Sequence, residues 1–182
     1  MHHYQVHTLE SAPTRSRSAL EGLKKNFGLV PNLAATMAES PTLVNGFVGA
    51  LVNFIDGSFT GGQRQVILLA SAVTNRCVWA VAFHSTAALG EGVPASDIEA
   101  IRAGRQPADP KNAALSAIVR TLITKRGALD ADDRAAFAAA GFSPAQLLEV
   151  IAGLAASMMA NYAGNITDPP LEEPFRAQAW TR

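Results

Sequence analysis

Two Ser-Pro steps, Ser40-Pro41 and Ser143-Pro144, do most to limit what this chain can fold into. In each, a serine able to cap a helix precedes a proline whose fixed φ suits the first helical position. Each opens onto an apolar stretch, which predicts helices from 41 to about 56 and from 144 to about 162. Thr60 and Asp130 supply two further caps, for helices reaching about Thr74 and Gly141. Four more helices are expected at about 14–27, 31–39, 95–103 and 111–126, three of them ending at Gly28, Gly104 and Gly127. Residues 66–70 could form a buried strand. The apolar pattern continues without Gly or Pro to Thr74, however, and that length favours a helix. Being apolar nearly all round, this helix should be buried. With one more helix over 77–89, the expectation is an all-α single domain over 1–182 with eight or nine helices.

The links fit that picture. Residues 56–62, with Gly61 and Gly62, and residues 105–110 read as turns short enough to join packed helices. Pro169 and Pro170 end the last helix, and the tail beyond carries Phe175 and Trp180. Two large aromatics predict that residues 169–182 dock on the domain or on a neighbouring subunit, with residues 1–12 docked or partly flexible.

Composition excludes several functions. Lys plus Arg and Asp plus Glu number 15 each, so there is no basic stripe for nucleic acid and no polybasic membrane patch. No run of 18 or more apolar residues suggests a membrane span. The start, Met1-His2-His3-Tyr4-Gln5, lacks the pattern of a secretory signal. With a single cysteine, no internal disulfide can form, and a cytoplasmic protein is expected. Charged residues make up 16% of the chain against roughly 25% in typical domains, a hint of self-association. No cofactor or metal is expected. His2, His3 and His7 lie in a terminal segment, where order is usually low. Asp132-Asp133 and Glu172-Glu173 read as solvated charges, and Asn165-Ile166-Thr167 is a sequon that should go unmodified.

The chemistry centres on residues 75–85, which hold the only cysteine, Cys77, and the only histidine beyond residue 7, His84. On a helix, Cys77, Ala80 and His84 share a stripe. Asn75 should cap that helix, which would put Cys77 in the first turn, where the positive end of the dipole lowers a thiol pKa. Cys77 and His84 are two turns apart, roughly 10 Å along the axis. Direct proton transfer between them therefore needs an intermediary. Gln65, Ala80, Trp79 and Ser85 form the expected lining, with Trp79 read first as packing. Gln65, a buried amide needing a partner, could hydrogen-bond His84.

The segment resembles the signature of the alkylhydroperoxidase D-like (AhpD-like) family, which also contains carboxymuconolactone decarboxylase. That signature has a Glu, then Cys-x-x-Cys 12 residues on, and a His four residues after the second Cys. The matching positions here are Gln65, Cys77, Ala80 and His84. Residues 28–33 (Gly-Leu-Val-Pro-Asn-Leu), Ser40-Pro41, Asn161-Tyr162 and Pro170-Leu171 resemble the peroxidase-related subgroup. The resemblance implies an all-helical fold, homo-oligomers (dimer, trimer or hexamer) and an antioxidant oxidoreductase activity. In that activity the second cysteine attacks a peroxide, the first resolves it as a disulfide, and Glu and His relay protons. Here Ala80 stands for the attacking thiol and Gln65 for the acid.

Three readings follow. Cys77 could act alone with an external thiol reductant. His84 could be the acid/base of a cofactor-free lyase on a small organic acid. The third reading is a non-catalytic oligomeric binder or scaffold.

Overall fold

The computed structural model describes residues 4–181. Among them are nine α-helices and one 3₁₀ helix, with no strand. In chain order the helices are α1 (Thr14–Phe27), α2 (Asn32–Met37), α3 (Pro41–Ile55), α4 (Gly61–Thr74), α5 (Val78–Gly90), α6 (Ala95–Arg102), α7 (Pro110–Thr124), α8 (Ala131–Ala139) and α9 (Pro144–Thr167). The 3₁₀ helix spans Glu173–Gln178.

The caps form as the sequence suggests. The Ser40 hydroxyl accepts from the Leu43 N–H. Thr60, Asp130 and Ser143 each form a reciprocal capping box with the residue three positions on. Each cap satisfies backbone donors otherwise unpaired at a helix start and contributes about 1 kcal/mol. Gly28 ends α1 at φ 76°, a left-handed conformation that glycine adopts without steric cost.

Burial places α4 at the centre. Its residues from Val66 to Ala72 are all buried, as an all-round apolar pattern requires. The helix packs against α5, α7, α9 and α6. Helix α9 closes one side, lying along α3 and α4 and touching α2 and α5. It is long and apolar enough to cross a bilayer by length and composition, but half of its apolar window is buried inside the bundle. Gly153 lets the buried Phe54 ring approach, since a Cβ there would stand 2.8 Å from the ring.

Three details differ from the sequence reading. Helix α9 runs past the expected end at Tyr162 to Thr167, because Gly164 packs in the interior instead of stopping the helix. Gly61 and Gly62 form the first turn of α4, not the turn before it. A side chain at Gly61 would collide with the Glu91 carboxylate, which sits at the α4 N-terminus, where the helix dipole favours an anion. Glu172 is not a solvated charge. Its Oε1 accepts from the Asn32 N–H at 2.6 Å and its Oε2 from the Trp79 indole N–H at 2.8 Å.

Those bonds dock the tail on its own domain. Phe175 packs edge-on against Trp79 and Phe83, and Arg102 donates to the carbonyls of Gln178 and Ala179. His2 and His3 lie outside the described residues. Buried His7 bonds to Glu39 at 2.8 Å and to Ser11 at 3.3 Å, and no group of three potential metal ligands forms among the described residues.

Candidate functional site

The corner between α4 and α5 sets the site. At the end of α4 the Arg76 N–H bonds the Val73 carbonyl and the Cys77 N–H bonds the Ala72 carbonyl. Arg76 sits in the left-handed region at φ 58°. This is a Schellman closure, with an arginine in the position glycine usually takes. It corrects the expected cap: Asn75 ends α4, its amide folded back onto the Ser71 carbonyl at 2.9 Å, and Cys77 is the residue that caps α5. The reason lies in the tight turn: Arg76 closes α4 in the left-handed conformation, so the next residue, Cys77, takes the cap position of α5.

Cys77 therefore precedes the first turn of α5 and does not lie within it. Its side chain is 1% exposed. The sulfur lies against α9, so close to Gly164 that a Cβ there would stand 2.7 Å away. Cys77 does not share the functional face expected for it, because a helix cap need not follow the helical side-chain stripe.

Ala80 and His84 do share a face, and they line a cavity of about 200 Å³ between α1, α2, α3, α4, α5 and α9. Most of its wall is apolar, with Phe27, Phe47, Trp79 and Phe83 supplying rings. The polar side chains on the wall are Gln65, His84, Arg64, Glu91 and Ser157. Gln65 Oε1 accepts from His84 Nδ1 at 2.9 Å, the bond the sequence suggested. With its proton on Nδ1, the ring carries its lone pair on Nε2.

His84 keeps intermediate accessible surface because it faces the cavity, and the largely apolar wall encloses the rest of the ring. That enclosure disfavours the imidazolium and lowers the pKa from 6.5 to about 3. Gln65 is neutral and supplies no charge to offset the desolvation. At neutral pH His84 is a neutral imidazole.

Trp79 lines the cavity and also packs, stacked on Phe83 at 5.1 Å. Ser85 does not line it. Ser85 is fully buried on another side of α5, where its hydroxyl accepts from Arg102 at 3.0 Å, since one residue past His84 turns about 100° around the helix. Sequence reasoning missed Arg64, Ser157 and Glu172. Arg64 Nη1 donates to the Phe59 carbonyl at 2.6 Å and the Ile55 carbonyl at 3.3 Å. No ion pair involving Arg64 forms among the described residues. Its place beside Gln65, at the start of a buried helix that faces the motif, was the available signal.

An all-α bundle that presents the α4–α5 pair to an internal cavity belongs to the AhpD-like fold class. The fold matches a peroxidase-related protein from Ralstonia eutropha JMP134 described as an alkylhydroperoxidase AhpD core, with TM-score 0.82, 20% identity, and 94% of this chain and 93% of that one covered. A peroxidase-related protein from Silicibacter sp. TM1040 matches with TM-score 0.77, 15% identity and coverage of 96% and 93%. The debrominase Bmp8, as a cysteine-to-alanine variant in complex with 2,3,4-tribromopyrrole, matches with TM-score 0.74, 20% identity and coverage of 94% and 96%. At these identities the likeness is one of fold. No curated protein matches the chain. Residues 38–122, spanning α3 to α7, match the model of the carboxymuconolactone decarboxylase family.

Proposed function

We propose that the protein is a cofactor-free acid/base enzyme of the carboxymuconolactone decarboxylase type, a lyase or isomerase acting on a small organic acid with a largely apolar body. One observation carries this reading. The cavity wall brings His84 and Arg64 together, while the only thiol lies outside it. Arg64 offers a guanidinium for a substrate carboxylate. His84 Nε2 takes a proton from the substrate while Nδ1–H keeps its bond to Gln65, so the imidazolium that forms is held in place. A carboxylate entering the cavity raises the basicity of His84 in turn. At about 5 Å and an effective dielectric constant of about 20, the interaction is about 3 kcal/mol, or roughly two pKa units.

The volume bounds the substrate. An apolar cavity of about 150 Å³ holds benzene, so about 200 Å³ suits one substituted ring. The brominated pyrrole held on the same fold by Bmp8 is of that size. The test incubates the protein in D₂O with small unsaturated and β-keto carboxylic acids and follows decarboxylation and C–H exchange by NMR. Turnover that disappears in His84→Ala is expected. No turnover, together with peroxide-dependent sulfenic-acid labelling of Cys77, would overturn the reading in favour of a single-thiol peroxidase using an external reductant.

We also infer self-association and a cytoplasmic location. Supporting the first is an exposed apolar stripe on α9, with Leu148 68% and Ile166 66% exposed and Ile151 and Tyr162 between them. Light scattering after size exclusion tests it: a monomer would count against it. The lone cysteine supports the second.

A further inference from the structure

The aromatic wall of the cavity is held from behind by a layer that the proposed chemistry does not use. Trp79 and Phe83 line the cavity and stack on each other at 5.1 Å, their planes 14° apart. Phe83 also stands edge-on to His84 at 5.1 Å and to Phe27 at 5.5 Å. The C-terminal tail grips this pair from outside. The Phe175 ring lies edge-on to Phe83 at 5.0 Å and to Trp79 at 6.0 Å. Glu172 ties the pair to α2, because one oxygen accepts the indole N–H of buried Trp79 and the other accepts the Asn32 N–H. Pro31 and Leu33, on either side of Asn32, line the cavity as well. Neither Glu172 nor Phe175 is part of that lining.

An indole has one N–H, and a buried one needs an acceptor. For Trp79 the acceptor is a carboxylate 93 residues further along the chain. The edge of the indole is therefore fixed by the docked tail and not by its own helix. An aromatic wall held in one plane favours a flat ring, since rings attract one another in offset-stacked or edge-on contact beyond the area they bury. We propose that Glu172 and Phe175 are positioning residues of the cavity. They set the planes of Trp79 and Phe83, and through them select acids with a planar, aromatic or conjugated ring over acids with a saturated ring of similar size. The inference rests on the cavity being the ligand site, as proposed above, and narrows its substrate class. It does not rest on His84 acting as a base.

Benzoate and cyclohexanecarboxylate are suitable probes, since they share the carboxylate and differ in the planarity of the ring. Calorimetric titration of the wild-type protein should show benzoate bound about 3- to 10-fold more tightly, the ratio that about 0.6–1.4 kcal/mol of ring contact gives. Phe175→Leu removes the outer ring, and Glu172→Gln turns an amide N–H₂ toward one of the two N–H donors. Each should lower the ratio about 3-fold. A purely structural role for the tail would weaken both acids alike and leave the ratio unmoved. In a Trp180→Phe background Trp79 is the single tryptophan, so a change in its emission on saturation with benzoate reports the contact directly. A ratio unchanged in both tail variants, a wild-type preference for cyclohexanecarboxylate, binding of neither acid, or an unaltered Trp79 emission would overturn the proposal. A tail-dependent ratio in a protein that turns over no acid would leave it standing and remove only the acid/base reading. Turnover that needs His84, with a ratio indifferent to the tail, would do the reverse.

Discussion

The buried neutral histidine has a consequence for acid stability that can be worked out. In the unfolded chain His84 takes up a proton as pH falls below its ordinary value of 6.5, while in the folded protein it resists protonation until about pH 3. The sign follows from proton counting. The unfolded state binds more protons across this window, so stability is fully present above 6.5 and is lost as pH falls toward 3. At about pH 5 the loss is about 2 kcal/mol, from 1.5 pH units at about 1.4 kcal/mol each. His84→Gln removes the titrating group and leaves the others in place. Urea unfolding at about pH 7 and about pH 5 measures the difference. The wild type should lose about 2 kcal/mol more than the variant over that interval. The carboxylate of Asp130, held down to about 2 by Lys125, titrates below this window and does not enter. Equal losses, within about 0.5 kcal/mol, would mean that cavity water solvates the imidazolium and that the enclosure argument is wrong.

Other outcomes follow from single contacts. Gln65→Glu places a carboxylate at the 2.9 Å contact to Nδ1 and should raise the His84 pKa by about two to three units, read by NMR titration of the imidazole; an unmoved titration would contradict the pairing. Gly164→Ala drives a Cβ toward the Cys77 sulfur and should cost about 1–3 kcal/mol. Adding Cys77→Ala should recover part of that cost in a double-mutant cycle, and strict additivity would refute the contact. Glu172→Gln weakens the bridge from the tail to Trp79 and α2 and should cost about 1 kcal/mol, lowering Tm by about 2–4 °C; an unchanged Tm would show that the tail is held by packing alone. Ala80→Cys with Gln65→Glu should give a peroxide-dependent disulfide to Cys77, seen by mass spectrometry. An inert but folded double variant would show that burial of the Cys77 sulfur against Gly164 blocks the partner thiol.

The helices were legible because their signals are local. Ser40, Thr60, Asp130 and Ser143 each complete a bond to a residue three positions on, so the sequence around the cap carries the information. The α4–α5 corner was not legible for a related reason. Its left-handed residue is Arg76 and not glycine, so the closure carries no composition mark, and Asn75 was free to read as the next cap. The tail was half legible. Phe175 and Trp180 predicted docking, but that Glu172 serves two N–H donors from different elements depends on tertiary placement.

In the site, the spacing of Gln65, Ala80 and His84 carried over because two adjacent antiparallel helices bring those positions together. Arg64 and Ser157 could not be found that way, since their meaning comes from the cavity they share. The amide at 65 and the alanine at 80 nevertheless make physical sense together. A carboxylate at 65, facing an apolar wall, would be costly to bury unless a proton or a cation met it. A proton relay justifies that cost only if a thiol one turn from His84 needs deprotonating. With Ala80 there is no such thiol, and an amide supplies the hydrogen bond that holds the imidazole without carrying charge into the core. An amide at 65 and an alanine at 80 thus leave a neutral, oriented imidazole beside a small, largely apolar cavity.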